Sequence, residues 1–447
     1  MSEVAIGTIC LLCSLVLIQT GMHIGVALML LSFVGVWAIK DITIAGKLLG
    51  SSVSTSIASD AYAVIPMFVM MGLFVSATNM GRDTFEVAAV VLRRIRGALG
   101  IATVAANAVF AACTGTTIAS ASVFTKVAVP EMIRHGYTPG FSVGVVAGSS
   151  VLGMLIPPSI LMIIFGVIAN VSIGDLFTAG ILPGVVLAAA FCVTILALSY
   201  FRPAFVAVDP DALKSGHGDA LPDLPALVYV RKVLPIVVLI GIVLGGIYGG
   251  LFTPTEAGGA GALAAFVIAL ARRELTLDVF WQIALETGRV TAAICFLLMA
   301  AALYSQMLTL SGLPYAVGQW LQQAQLGFVP VLLGYLIVLV VLGCFLDSVS
   351  IMLIVLPFVI PLFDSFGVNL VWLGLISIIA IEIGLLTPPL GLAVFVVKAN
   401  LEDQRISTWD IFRGTAPMTL TMVAVLVLCV VFPWLALALV GQRWSWW

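Results

Sequence analysis

One pattern of glycine, proline and cysteine residues occurs twice in this chain, at an offset of 231 positions. The matched pairs are Gly81 and Gly312, Cys113 and Cys344, Pro130 and Pro361, Gly136 and Gly367, Gly153 and Gly384, and Pro157-Pro158 and Pro388-Pro389. Chance rarely aligns so many residues of these types at one offset. The sequence therefore predicts two structural repeats within one chain.

Each repeat contains two short apolar arms around a small polar tip. The first tip is Cys113 to Thr117, and the second tip is Cys344 to Ser348. At about 1.5 Å rise per residue, an arm of about 15 residues reaches about 20 Å, which is short of the roughly 30 Å hydrocarbon core of a bilayer. The sequence therefore predicts two re-entrant helical hairpins, over 98–130 and 329–362, whose tips are surrounded by protein or by a water-filled cavity.

A double proline interrupts the apolar segment that follows each hairpin. Pro157-Pro158 and Pro388-Pro389 lack backbone N–H groups, and proline keeps the residue before it out of helical geometry. The carbonyl groups one turn earlier thereby lose their helical partners. We therefore expect broken helices over 139–171 and 370–398. Secondary transporters build ion and substrate sites from such breaks. One break alone is explained equally well as a proline kink whose nearby hydroxyl groups bond to their own turn.

The composition defines the setting of this fold. Of the 447 residues, 62% are hydrophobic and 9% are charged, and the mean hydropathy is +1.23. A soluble domain does not have this composition, so the predicted fold class is an all-α polytopic membrane protein in a lipid bilayer. The net charge of −2 and the lack of a basic run give no reason to expect nucleic acid as a partner. The three histidines are scattered, so no transition-metal site is expected.

The predicted organisation has ten full crossings in addition to the two hairpins. The first half contains N-terminal scaffold helices (1–59), with a polar connection at 50–59, and the first repeat (60–201), with a surface arm at 82–97. A polar linker at 202–232 joins the halves. The second half contains scaffold helices (233–283), the second repeat (284–415), with an arm at 312–327, and a last span over 416–447.

Positive charges predict how the chain is oriented. If the N-terminus is periplasmic, the loops on the cytoplasmic side hold 15 of the 19 Lys and Arg residues, in accordance with the positive-inside rule. The arm at 82–97 carries four arginines, whereas the arm at 312–327 carries no Lys or Arg. Equivalent arms on opposite sides of a membrane have this asymmetry. The repeats are therefore predicted to be inverted, with both tips near the midplane.

Several longer motifs resemble those of one transporter family. They are Gly115-Thr116-Thr117, Val129-Pro130-Glu131-Met132, Gly136-Tyr137, Leu152 to Ser159, Leu176 to Gly184, Gly246 to Ala257 and Glu382 to Leu392. In this order they resemble the large membrane subunit of tripartite ATP-independent periplasmic (TRAP) transporters. The resemblance covers essentially the whole chain.

The resemblance implies a function as well as a fold. It implies an elevator-type transporter, in which a transport domain moves against a scaffold to import a small organic acid, with Na⁺ as the coupling ion. The implied partners are a separate small four-helix membrane subunit and a soluble periplasmic substrate-binding protein. The implied location is the bacterial inner membrane. Relatives often carry an arginine near the position of Gln306. That arginine is the residue expected to hold a substrate carboxylate.

Sodium accepts carbonyl and hydroxyl oxygens as ligands, so the tips and breaks can supply two sodium sites. The first predicted site uses Thr114, Gly115, Thr116, Ser120, Gly153 and Met154, and the second uses Phe345, Asp347, Gly384, Leu385 and Thr387. The predicted substrate contacts are Ser159, Thr117, Ser348, Glu382 and Gln306. Two alternatives stay open: the helix N-termini after the double prolines can hold an anionic substrate, and Glu382 can instead brace the second broken helix.

Other functions fit the sequence less well. A stand-alone, cation-coupled dicarboxylate transporter with the same hairpins is the main alternative, and it would work without a binding protein. An intramembrane enzyme needs a catalytic pair or a His-Glu-x-x-His helix at depth, and the sequence has neither. We therefore expect a transporter and not an enzyme.

Overall fold

The computed structural model describes residues 2–209, 225–403 and 405–441. In these ranges the chain forms 22 α-helices and no strands, apart from one isolated bridge between Tyr137 and Ala207. About half of the predicted linker, residues 210–224, and the last six residues of the predicted final span lie outside the described residues. The predicted all-α fold is confirmed for the described part of the chain.

The first half contains twelve of these helices. They are α1 Glu3–Gln19, α2 Ile24–Ile39, α3 Ile42–Ile57, α4 Val64–Ala77, α5 Met80–Val91, α6 Ala98–Thr114, α7 Thr117–Arg134, α8 Pro139–Ser150, α9 Leu152–Leu155, α10 Ile160–Ala169, α11 Ile173–Phe201 and α12 Pro203–Val206.

The second half contains the other ten. They are α13 Ala226–Tyr248, α14 Pro254–Ala271, α15 Leu277–Ser311, α16 Leu313–Gln323, α17 Phe328–Gly343, α18 Ser348–Asp364, α19 Leu370–Leu385, α20 Leu392–Asn400, α21 Thr408–Val431 and α22 Trp434–Leu437.

The helix bounds recur at the offset of 231. Shifting α6 and α7 by this offset gives 329–345 and 348–365, and α17 and α18 lie within two residues of these bounds. Shifting α2 gives 255–270, which matches α14. The correspondence therefore reaches the N-terminal helices, which were predicted to be scaffold. It extends beyond 60–201, the predicted first repeat.

One predicted connection and one predicted boundary lie within helices. The serine-rich stretch 50–59, expected to be a polar connection, lies mostly in α3, which Asp41 caps by accepting the Ile44 N–H at 2.8 Å. The Ser51 hydroxyl donates to the Leu48 carbonyl at 3.1 Å, so serine is satisfied within the helix and does not end it. The predicted boundary at residue 284 falls inside the continuous 35-residue helix α15.

Six helical segments of the described chain are long and apolar enough to cross a membrane, or seven if α3 and α4 form one span bent by 60°. The six are Pro139–Ala169, Ile173–Phe201, Ala226–Tyr248, Pro254–Ala271, Leu277–Ser311 and Thr408–Val431. The predicted ten crossings also include shorter apolar helices, such as α1 and α2 with 17 and 16 residues. By length and composition alone, these shorter helices do not qualify.

The two halves pack against each other in matched pairs. Helix α2 packs on α15 and α4 on α14, α7 packs on α20 and α10 on α18, and α8 packs on α21 and α11 on α19. In each pair, exchanging the halves at the 231 offset gives the other member. This exchange is the pattern that a two-fold relation between the halves would give, and in it each hairpin contacts the post-break helix of the other half.

Candidate functional site

Both hairpin turns lie where the sequence predicts them. In the first, α6 ends at Thr114, Gly115 has φ +64°, and Thr116 caps α7 by accepting the Ala119 N–H at 3.2 Å. In the second, Asp347 caps α18 by accepting the Ser350 N–H at 3.2 Å. Thr116 and Asp347 are related by the 231 offset. Each tip therefore begins its second helix with the same type of side-chain cap.

Both predicted helix breaks are present at the double prolines. The first break, Ile156 to Ser159, separates α9 from α10, and the second, Leu386 to Gly391, separates α19 from α20. We call residues 113–117 with 156–159 the first tip-and-break unit, and residues 344–348 with 386–391 the second.

At each break, nearby hydroxyl and N–H groups already bond to some of the backbone carbonyls of the preceding turn. The Ser159 hydroxyl donates to the Met154 carbonyl at 2.6 Å, and the Thr387 hydroxyl donates to the Ile383 carbonyl at 2.7 Å. The Thr387 N–H also donates to the Gly384 carbonyl at 2.9 Å. Since a carbonyl oxygen has two lone pairs, the Met154 oxygen retains one acceptor position for a cation. The Gly384 oxygen accepts the Leu386 N–H as well as the Thr387 N–H.

Each tip contacts the break of its own half through the backbone. The Ile160 N–H donates to the Gly115 carbonyl at 3.3 Å, and the Gly391 N–H donates to the Cys344 carbonyl at 3.4 Å. Ile160 and Gly391 occupy equivalent positions in the two repeats. The start of each post-break helix is therefore tied to the tip beside it.

Two equivalent glycines permit this close approach. A Cβ atom at Gly153 would lie 2.6 Å from the Thr116 carbonyl oxygen, and one at Gly384 would lie 2.5 Å from the Gly343 Cα. Both distances are below van der Waals contact and both involve backbone, which cannot move aside easily. These positions therefore require glycine for packing.

One carboxylate connects the two tips. The Thr117 hydroxyl donates to Glu382 Oε2 at 2.8 Å, and the Ser348 hydroxyl donates to Glu382 Oε1 at 3.0 Å. Thr117 and Ser348 are the first residues of α7 and α18 and are related by the 231 offset. Glu382 is 1% exposed, so the structure brings together three of the five predicted substrate contacts as a buried group.

The other predicted residues have varied surroundings. The Thr114 hydroxyl donates to the Phe110 carbonyl in its own helix at 3.2 Å, as the simpler proline-kink interpretation expects. Ser120 is fully buried, and its hydroxyl has no hydrogen-bond partner among the residues that the structure describes. Phe345 is 46% exposed. The Gln306 amide oxygen accepts a bond from Ser52 of α3 at 3.2 Å, so its recorded partner lies outside both tip-and-break units.

Two polar pairs between helices, one buried and one partly buried, were not predicted from the sequence. Asn107 in α6 donates to the Ser149 hydroxyl in α8 at 2.6 Å, and Ser122 in α7 donates to Asn400 in α20 at 2.9 Å. The second pair joins the two halves. An asparagine inside an apolar arm was the available signal, because such a residue is costly in a membrane without a partner.

The two breaks differ in exposure. Pro157 and Pro158 are buried, whereas Pro388 and Pro389 are exposed, and the adjacent Leu390 is 47% exposed. The second break is therefore accessible from outside the described chain, and the first is enclosed.

An ion-pair cluster anchors α5, the first arm. Arg272 bonds to Asp83, and Lys232 bonds to Glu86 and lies 3.4 Å from Asp83. At the start of the arm, Asn79 donates to both carboxylate oxygens of Glu274, at 3.0 and 3.1 Å.

The cluster also shifts the ionisation of Glu274. Burial raises the pKa of this carboxyl, but hydrogen bonds from Asn79 and the charge of Arg272 more than offset it and hold the pKa below the usual value. The equivalent second arm, α16, carries no charged residue.

Comparison with known proteins places this architecture in one family. The family model for the tripartite ATP-independent periplasmic transporter, DctM component, matches residues 11–435. The chain is 32% identical to the C4-dicarboxylate TRAP transporter large permease protein DctM of Pseudomonas aeruginosa, over 84% of this chain and 85% of that protein. It is 29% identical to the sialic acid TRAP transporter large permease protein SiaM of Vibrio cholerae, with the same coverage.

A solved structure shares the fold. The YdaH transporter of Alcanivorax borkumensis matches with a TM-score of 0.63 and 15% identity, over 88% of this chain and 90% of that one. The relatives are transporter permeases and not enzymes. The chain therefore belongs to the DctM component family, the large permease subunits of tripartite ATP-independent periplasmic transporters.

Proposed function

We propose that this chain is the large membrane subunit of a sodium-coupled importer for a small organic acid. The observation that carries the proposal is the family match over residues 11–435, which spans both tip-and-break units. The similar permeases are named for C4-dicarboxylate and for sialic acid, which are both organic acids. We place the chain in the bacterial inner membrane with a periplasmic N-terminus, on the charge asymmetry of its loops.

Sodium binding is proposed at the two tip-and-break units. The first unit and the residues beside it offer the backbone and hydroxyl oxygens of 114–116, the Gly153 carbonyl, the remaining acceptor position of the Met154 carbonyl, and the Ser120 hydroxyl. The second offers Asp347 with the backbone of Phe345, Gly384, Leu385 and Thr387. Oxygen ligands from unwound backbone are how broken helices coordinate sodium in other transporters.

The substrate carboxylate is proposed to lie at the N-terminus of α20. The N-terminus of α10 already has a side-chain cap, Ser159, and is buried. Helix α20 begins after Gly391 without a side-chain cap, beside the exposed Pro388 and Pro389. An uncapped helix N-terminus favours an anion through its N–H groups and its dipole. This position provides an anion site without the arginine that relatives often carry near Gln306.

The proposed mechanism is an elevator movement of the two tip-and-break units against α2, α4, α14 and α15. The paired contacts of α2 with α15 and α4 with α14 link the two halves. A small four-helix membrane subunit is proposed to bind the scaffold formed by these helices, and a periplasmic substrate-binding protein is proposed to deliver the acid.

Uptake by the reconstituted complex tests the proposal. Proteoliposomes containing this chain and its small subunit are supplied with the binding protein and a radiolabelled acid, first succinate and then sialic acid. We expect accumulation of one acid only with an inward sodium gradient and the binding protein. Equal uptake without sodium contradicts sodium coupling, and equal uptake of free acid without the binding protein shows a stand-alone transporter.

A further inference from the structure

Glu382 has a place in the fold that the proposed function does not use. Its two carboxylate oxygens accept bonds from Thr117 at 2.8 Å and Ser348 at 3.0 Å. These donors are equivalent residues of opposite halves, and each is the first residue of the second helix in its hairpin. A single side chain thus binds the same point of both hairpins.

The bridge is not duplicated by the repeat. The position equivalent to Glu382 in the first half is Val151, which is buried and apolar. Two symmetric hydroxyls therefore share one asymmetric carboxyl group. This carboxyl group links the two tips, whereas the backbone hydrogen bonds described between tip and break, Ile160 to Gly115 and Gly391 to Cys344, are each made within one half.

Glu382 is shielded from solvent and bonded at both of its oxygens. It is 1% exposed, and each oxygen accepts a hydrogen bond from a hydroxyl group. Within the described residues no ion pair includes it. Moving one tip relative to the other must stretch at least one of the two bonds, since the glutamate side chain lies between them.

We propose that Glu382 is a positioning residue that clasps the two hairpin tips, so that they move together and the two sodium sites fill cooperatively. It acts through Thr117 and Ser348 and does not contact the substrate. This inference rests on the proposed function, because cooperativity between sodium sites requires sodium coupling.

Replacing Glu382 separates the clasp from a role of its charge. In Glu382→Gln the amide oxygen accepts from one hydroxyl and the amide NH₂ donates to the other, so both contacts persist without the charge. In Glu382→Leu both contacts are lost. Thr117→Val and Ser348→Ala each remove one contact and leave the carboxyl group in place.

The readout is the sodium dependence of uptake in proteoliposomes. We expect a Hill coefficient above 1 in the wild type that falls to about 1 in Glu382→Leu, because the two sites no longer fill together. Glu382→Gln is expected to recover the steepness that the leucine variant loses. The Thr117→Val, Ser348→Ala double variant is expected to be no worse than either single variant, because one broken bond already opens the clasp.

Ser122→Ala is the matched control. Ser122 also lies in α7, and its hydroxyl also bonds to the other half, at Asn400, but five residues away from the tip. We expect its Hill coefficient to equal that of the wild type. Loss of steepness in this control would show that any contact between the halves suffices, and would overturn the specific role of Glu382.

Hydrogen exchange of the purified complex tests the clasp without using transport. We expect exchange of the amides at 114–119 and 345–350 to accelerate about tenfold in Glu382→Leu and to stay near wild type in Glu382→Gln. Unchanged exchange in the leucine variant, or acceleration of both variants alike, overturns the clasp. If uptake proves independent of sodium while exchange follows this pattern, the proposed coupling fails and the clasp between the tips stands.

Discussion

The first and second tip-and-break units share their backbone contacts and differ in their exposure. In both, the residue at the start of the post-break helix donates to a tip carbonyl, at 3.3 and 3.4 Å. Pro157 and Pro158 are nevertheless buried, whereas Pro388 and Pro389 are exposed. Two copies of a repeat can therefore share the backbone contacts of a helix break while only one copy is open to its surroundings.

The largest expected effect tests what the units share. Gly153→Ala and Gly384→Ala each place a Cβ within 2.6 Å of backbone, so we expect each to destabilise the fold by about 3 kcal/mol. Thermal unfolding of the purified complex measures this. Gly334→Ala is the control, because nothing lies within 4 Å of its Cβ position. Destabilisation by only one of the two variants would show that the units are not equivalent.

A smaller effect is expected from breaking the anchor of the first arm. Asp83→Ala leaves Arg272 and Lys232 without one partner in a cluster that is mostly shielded from water, with the Asp83 side chain 12% exposed. We expect a loss of about 2 kcal/mol. In the second arm, Gln319→Ala removes only an exposed bond to Tyr315, and the melting temperature should not move. Equal effects in both arms would contradict the asymmetry of the anchors.

The hydroxyls at the two breaks sharpen the difference in burial. Ser159→Ala removes the donor to the Met154 carbonyl in the enclosed break, and we expect a cost of about 1 kcal/mol or more. Thr387→Val removes a hydroxyl donor to the Ile383 carbonyl beside the open break, and this carbonyl still accepts the Leu386 N–H at 3.2 Å. Its cost should be clearly smaller, and a reversed order in thermal unfolding would contradict the assignment of the enclosed break.

The smallest expected effect is on the pH dependence of the melting temperature, through Glu274 at the anchor of the first arm. The folded-state pKa of Glu274 lies below its usual value, 4.5, so this carboxylate contributes stability that is fully present above pH 4.5 and declines as the pH falls through the lowered pKa. Glu274→Gln should flatten the melting temperature between pH 5 and pH 3. An unchanged slope would show that Glu274 is not held by its neighbours.

Local chemistry made part of this structure predictable. Gly115 indicated the first tip and the double prolines indicated the breaks. A residue with positive φ or without an N–H group interrupts a helix in an apolar segment. The helix over 42–57 was not predicted, since serine ends helices and also bonds within them. The serine-rich composition favoured a connection over 50–59, and most of that stretch is helical instead.

Contacts between the halves could not be predicted from local patterns. Thr117 is 265 residues from Glu382, and the bond between them depends on how the halves pack. The same holds for Gln306, whose partner Ser52 comes from α3. Which break is open also depends on the helices that cover it, and the matching Pro-Pro pairs give no sign of the difference.

Equilibrium binding of ²²Na⁺ to the reconstituted complex tests most directly whether the two tip-and-break units hold sodium. The variants are Pro158→Ala and Pro389→Ala, which supply an N–H group to the carbonyls of the preceding turn. The account predicts that each variant lowers sodium affinity and that neither abolishes folding. Sodium affinity that is unchanged in both variants would contradict it.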